Sequence, residues 1–181
     1  MLLLGATVPG RFTEQHDIFF GIAEHLKDLV PEIKKYWAGA KVHIDAWRQV
    51  TVIDQYQIKV IDAAESTSTD RGLFFINLGG YKRDEFDEFH YKVISVAADK
   101  GEAIRQSKQT TFYKHMGFEK ATSHIDDKYG VDVDDIYAIE DILPAEFKSK
   151  YKLRITEGPG TPDKIHLGYF KLDKLEALIT P

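Results

Sequence analysis

Residues 4–16 of the chain are LGATVPGRFTEQH, and residues 78–90 are LGGYKRDEFDEFH. Both stretches contain a leucine–glycine pair followed by the pattern F-x-E-x-H, at one ungapped offset of 74 residues. A second pair of stretches begins with His43-Ile44-Asp45 and His124-Ile125-Asp126, at an offset of 81 residues. Because the offset changes only once, one insertion of seven residues accounts for both matches. The sequence therefore predicts an internal duplication, which constrains the fold more than any single motif.

Each predicted repeat has the element order β-β-α-β. A short apolar strand ends at glycine, a second strand follows the F-x-E-x-H motif, and a helix comes next. In the second copy, Asp99 and Glu102 have the spacing of a helix capping box. Alternating apolar residues predict a long closing strand, over residues 50–60 in the first copy and 131–139 in the second. We therefore expect an α+β fold in which two tandem β-β-α-β repeats pack with pseudo-twofold symmetry.

The repeat also sets the expected domain boundaries. We place the first repeat at residues 1–65, a polar linker at 66–72, the second repeat at 73–143 and a C-terminal extension at 144–181. The extension has two strand-like segments separated by glycines and prolines, so we expect it to form a β-hairpin. A repeat of roughly seventy residues buries a marginal core, which favours packing of the two repeats against each other.

Composition narrows the functional class. The 181 residues carry a net charge of −5 and include no cysteine. Disulfides, thiolate metal sites and a cysteine nucleophile are thereby excluded. The acidic balance argues against general nucleic-acid binding, which depends on neutralising phosphates. No signal-peptide pattern and no apolar run of about eighteen residues occur. We expect a cytoplasmic protein without nucleic-acid or membrane partners.

The candidate binding residues are histidines that lie two positions from a carboxylate: Glu14, His16, His43, Asp45, Glu88, His90, His124 and Asp126. Residues i and i+2 of a strand share a face, so each pair can converge. A carboxylate that holds one ring nitrogen leaves the other for a ligand, a metal or a proton transfer. Structural pairs in protein interiors show the same pattern, and we favour that structural interpretation. No metal ligand and no cofactor is assigned.

These repeated blocks, together with the stretches FFINLGGY at residues 74–81 and SHIDDKYGVDVDD at 123–135, carry a family resemblance. The chain resembles a bacterial family known only as a domain of unknown function, family fifteen-forty-three. The resemblance implies bacterial origin and an architecture of tandem domain copies. It implies no activity, substrate or catalytic residue.

The favoured function is a soluble binding or interaction module for a small molecule or protein. Its site is expected in the cleft between the repeats, where a pseudo-twofold axis brings matched groups together. The alternative is a hydrolase or isomerase that uses histidine–carboxylate pairs, with or without a divalent metal. A purely structural or assembly protein is the third class. No known catalytic motif is present, so the sequence assigns no activity.

Overall fold

The computed structural model describes residues 1–67, 69–81, 84–109 and 131–176. These residues form an α+β fold of antiparallel strands and short helices. The chain divides into two compact units. The first unit combines Met1–Glu65 with the segment from Leu143 onward, and the second is Ser66–Ile142.

The main sheet of the first unit has four strands: β1 (Leu2–Thr7), β2 (Gln15–Phe19), β3 (Lys41–Trp47) and β10 (His166–Lys171). They lie in the order β10-β3-β1-β2, and every neighbouring pair is antiparallel. On one face, Leu4 and Ile44 are fully buried in the core. Because strand side chains alternate between faces, Gly5 and His43 lie on the opposite face.

A helical layer covers the core face of this sheet. A 3-10 helix (Leu26–Leu29) leads into helix α1 (Val30–Tyr36), where the first predicted repeat has its helix. Pro31 lies in the first turn of α1, where its missing N–H group has no partner to lose. Buried residues of this layer and of the C-terminal helix complete the core: Leu29, Val30, Ile33 and Leu172.

The second sheet of the first unit contains two short strands where one long closing strand was predicted. Its strands are β4 (Val52–Ile53), β5 (Tyr56–Asp62) and β9 (Tyr151–Glu157), in the order β4-β5-β9. The expectation of one strand over residues 50–60 is wrong, because the chain reverses between β4 and β5. Asp54 has a positive φ of 53° at this reversal. Alternating apolar residues continue through both short strands, so the pattern alone does not reveal the turn.

The expected C-terminal β-hairpin is also wrong. β9 pairs with β5 from Tyr56↔Glu157 to Asp62↔Tyr151, whereas β10 pairs with β3. The two strands therefore lie in different sheets. Each extends the edge of a sheet built by N-terminal residues, which satisfies more backbone groups than a short isolated hairpin would. Helices α4 (Ala145–Lys148) and α5 (Leu172–Glu176) flank these strands in sequence.

The second unit has a three-stranded antiparallel sheet: β6 (Gly72–Tyr81), β7 (Glu88–Ala97) and β8 (Val131–Ala138), in the order β7-β6-β8. Helices α2 (Lys100–Ser107) and α3 (Ile139–Ile142) belong to this unit. The core contains Phe74, Ile76, Leu78, Ala97 and Ala103. The predicted cap is confirmed in part, since the Asp99 carboxylate accepts a hydrogen bond from the Glu102 backbone N–H at 2.8 Å.

The residues that occupy equivalent positions in the two sheets are not the residues that the sequence match aligns. β1 lies between β2 and β3, with Gly5 opposite both His16 and His43. β6 lies between β7 and β8, with Gly79 opposite His90 and Asp132. His43 thus occupies the sheet position of Asp132, at an offset of 132 − 43 = 89 residues.

The predicted equivalence of residues 131–139 with residues 50–58 is therefore wrong, because β8 takes the place of β3. The identity of the three residues His-Ile-Asp at 43–45 and 124–126 influences the fold less than the requirement that a strand pair with the central strand of its sheet. His124 and Asp126 lie outside the described residues. The pseudo-twofold packing of the repeats stays a prediction.

Candidate metal centre

The candidate site of the first unit is built around a β-bulge in β3. Leu3 pairs with Ala46 and Leu4 pairs with Ile44, which leaves Asp45 as the extra residue. Asp45 lies two residues from His43 on the strand, so the two side chains share a face. The Asp45 carboxylate lies over Gly5 of the central strand. His43 is the residue directly opposite that glycine, so its ring lies on the same face.

Four predicted residues converge at this position. His43 Nε2 lies 3.0 Å from Asp45 Oδ1 and 3.5 Å from Glu14 Oε1. His16 Nε2 lies 3.2 Å from Asp45 Oδ2 and 3.6 Å from Glu14 Oε2. Histidines and carboxylates therefore alternate around a closed ring of four side chains, and each carboxylate faces its two histidines with different oxygens. We refer to Glu14, His16, His43 and Asp45 as the first-unit cluster.

The first-unit cluster is closed on one side and open on the other. The His43 side chain is 4% exposed and that of Asp45 is 26% exposed, whereas Glu14 and His16 are 43% and 45% exposed. The Tyr169 ring lies against the His43 ring, with centroids 4.1 Å apart. An ion or small ligand can therefore approach from the side of Glu14 and His16.

The strand that carries His16 is held by a side-chain hydrogen bond at its other face. The Tyr36 hydroxyl of α1 donates to Asp17 Oδ2 at 2.6 Å. Burial and this hydrogen bond raise the pKa of Tyr36 well above its ordinary value. The phenol donates this hydrogen bond and thereby links β2 to α1, next to His16.

Two atoms of the first-unit cluster are buried without a hydrogen bond. Among the described residues, His43 Nε2 and Asp45 Oδ2 have no hydrogen-bond partner, although each lies near an oppositely charged or polar group. The distances of 3.0 and 3.2 Å are short enough, so the orientation of the groups is what fails. A contact of hydrogen-bond length that is misdirected does not satisfy a buried polar atom.

The second unit repeats part of this arrangement. His90 Nε2 lies 3.2 Å from Asp134 Oδ2 and 3.8 Å from Glu88 Oε2. Asp134 is again the extra residue of a bulge, because Asn77 pairs with Asp135 and Leu78 pairs with Val133. Glu88 and His90 were predicted from the sequence, but Asp134 was not. The pairing of β8 with β6 identifies it, and no sequence motif marks it.

The fold and this geometry define the chain as an α+β protein with a histidine–carboxylate cluster on one sheet face of each unit. Residues 11–60 match the family model described as Domain of Unknown Function (DUF1543). All four residues of the first-unit cluster fall inside that match. It supports the resemblance seen in the sequence over this segment, and the tandem architecture stays a prediction.

A solved structure shares the fold. The crystal structure of a protein Il1583 from Idiomarina loihiensis is 20% identical in sequence, covers 94% of both chains and has a TM-score of 0.63. At this identity the likeness shows the fold alone. No curated protein matches the chain. Among the described residues, no helix is long and apolar enough to cross a membrane.

Proposed function

We propose that the first unit is a metal-binding module that holds one divalent transition-metal ion between Glu14, His16, His43 and Asp45. The observation that carries this proposal is the ring of donor atoms in which His43 Nε2 and Asp45 Oδ2 are buried without hydrogen bonds. A buried donor or acceptor without a partner costs about 1–3 kcal/mol. A metal ion bound between these atoms would coordinate them and so remove that cost.

The spacing of the histidine and carboxylate groups is compatible with a metal ion between them. Ligand atoms about 2.1 Å from a tetrahedral zinc ion lie about 3.4 Å from one another. The four separations between a histidine Nε2 atom and a carboxylate oxygen are 3.0, 3.2, 3.5 and 3.6 Å, with a different oxygen of each carboxylate facing each histidine. A structural histidine–carboxylate network would instead orient each ring N–H at an oxygen. The structural interpretation favoured by the sequence therefore gives way to metal binding in our proposal.

The donor set indicates the class of metal. Two imidazoles suit zinc, copper, iron and nickel, whereas carboxylates alone suit magnesium, calcium and manganese. Two nitrogens with two carboxylates therefore favour a borderline divalent ion such as zinc over calcium or magnesium. His43 and Asp45 are fixed by β3, and Glu14 and His16 complete the set from β2 and the loop before it. The ion would tie two strands together.

The open side of the ion, beside Glu14 and His16, is where we propose that a small-molecule or protein ligand approaches. This location takes the place of the inter-repeat cleft as our proposed binding site. The proposal is one of binding, and no reaction is assigned.

The test is a comparison of two histidine-to-glutamine variants. The metal-free chain is dialysed against zinc chloride, and bound zinc is measured by atomic emission. His16→Gln should bind one equivalent less than the unmodified chain, because it removes one ring nitrogen from the partly exposed side of the cluster. His25→Gln, at an exposed histidine outside both clusters, should bind the same amount as the unmodified chain. Equal zinc in His16→Gln and the unmodified chain would refute the proposal.

A further inference from the structure

We infer that the second unit holds a separate divalent-cation site formed by Glu88, His90 and Asp134. This site prefers harder metal ions than the first-unit cluster does. The inference extends the proposed function, since it assigns the same kind of chemistry to a second location. One ligand atom from each of these three residues lies within 4.8 Å of the other two. Their side chains are 35%, 37% and 30% exposed for His90, Glu88 and Asp134, so a cation from solvent can reach them.

The strand bulge and the glycine found at the first-unit cluster are present in the second unit too. Asp134 occupies a bulge beside the central strand, as Asp45 does. A Cβ on Gly79 would lie 2.7 Å from Asp134 Cγ, just as a Cβ on Gly5 would lie 2.7 Å from Asp45 Oδ2. In each unit a glycine thus leaves room for a carboxylate directly over the sheet.

Asn77 supplies an independent observation. Its Oδ1 atom is buried and has no hydrogen-bond partner among the described residues. Asn77 and Gly79 are two residues apart on β6, so both lie on the face of the sheet that carries Asp134. Within the described part of the chain, such buried side-chain atoms without a partner belong to His43, Asp45 and Asn77 alone. All three lie on the faces that carry the two clusters.

The two sites differ in their nitrogen donors. Asp132 occupies the sheet position of His43, so the second unit has no histidine there. One imidazole and two carboxylates make a donor set richer in oxygen, which shifts preference toward manganese and magnesium. The geometry therefore assigns a tighter zinc site to the first unit and a weaker, manganese-tolerant site to the second.

His16 and His90 provide matched variants, since each is the histidine of its F-x-E-x-H motif and lies opposite the glycine of the central strand in its own sheet. The metal-free chain should bind two zinc ions, and both His16→Gln and His90→Gln should bind one. Manganese(II) chloride alone, followed by electron paramagnetic resonance, should show bound manganese in the unmodified chain and in His16→Gln. That signal should fall at least tenfold in His90→Gln. Circular dichroism checks that each variant is folded, and Glu88→Gln replaces His90→Gln if it is not.

The outcomes separate the two proposals. If His90→Gln binds as much zinc and manganese as the unmodified chain while His16→Gln loses one zinc, the second site is refuted and the first stands. If His16→Gln loses nothing while His90→Gln loses one zinc, the first site is refuted and the second stands. Manganese that persists equally in Glu88→Gln and His90→Gln would also overturn the second site.

Discussion

Gly5 shows how one residue permits the first-unit cluster. A Cβ at this position would lie 2.7 Å from Asp45 Oδ2 and still closer to His43 Nε2, where real Cβ contacts essentially never occur. The atoms it would meet are the ends of side chains and not backbone. An alanine here would therefore push the ligands apart more than it would break the strand.

Gly5→Ala is thus expected to remove zinc binding at the first-unit cluster while the chain still folds. We expect the free energy of unfolding to fall by about 1–3 kcal/mol, as for other small-to-large changes in packed sites. Zinc titration and denaturant unfolding measure the two effects. Gly158→Ala is the control, because a Cβ there would make an ordinary contact, 3.5 Å from Gln57 Nε2. Unchanged zinc affinity in Gly5→Ala would contradict the geometry described for the cluster.

Asp163 links the elements of the first unit that are distant in sequence. It lies between β9 and β10, and its Oδ2 accepts hydrogen bonds from the backbone N–H groups of Thr51 and Val52 at 2.7 and 3.0 Å. The Thr51 hydroxyl donates to Oδ1 at 2.5 Å. Partial burial tends to raise the pKa of Asp163, but these hydrogen bonds and the charge of Arg48 lower it overall. The carboxylate thereby fastens the C-terminal segment to the start of β4.

Asp163→Asn should lower the free energy of unfolding at neutral pH by about 1 kcal/mol, a value reduced for the partial exposure of the group. The pKa of Asp163 is lower in the folded state than the value of 3.8 for an unperturbed aspartate. Its contribution is therefore fully present above that value and is lost as the pH falls through the folded pKa. Urea unfolding at pH 7, 4 and 3 should show the difference between the two proteins shrinking in acid. A difference that does not change with pH would contradict the role of the ionised carboxylate.

At the scale of the whole molecule, local signals in the sequence predicted the elements better than their partners. The positions of the strands around Gly5 and Gly79, the helix over residues 26–36 and the cap at Asp99 all follow from spacing and capping chemistry. Strand partners depend on long-range pairing. The edges of two different sheets bind β9 and β10, and the sequence between these strands carries no sign of that choice.

For the candidate site, the local residue pairs could be predicted from the sequence, whereas their assembly into one cluster could not. The alternation in F-x-E-x-H and H-I-D predicted that Glu14 lies with His16 and His43 with Asp45, because alternate strand residues share a face. That these two pairs form one cluster depends on β2 and β3 flanking the same strand. Asp134 was not predicted, because the sequence match aligned His43 with His124. The predicted second-copy pair therefore lay at residues 124–126, eight residues before the sheet equivalents at 132–134.

Anomalous X-ray diffraction from crystals grown with zinc chloride tests the central claim most directly. Data collected above and below the zinc absorption edge locate the ion without reference to the protein atoms. We expect a peak about 2 Å from His16 Nε2, His43 Nε2 and one carboxylate oxygen each of Glu14 and Asp45. Crystals with zinc bound elsewhere but no peak between these four residues would contradict the account.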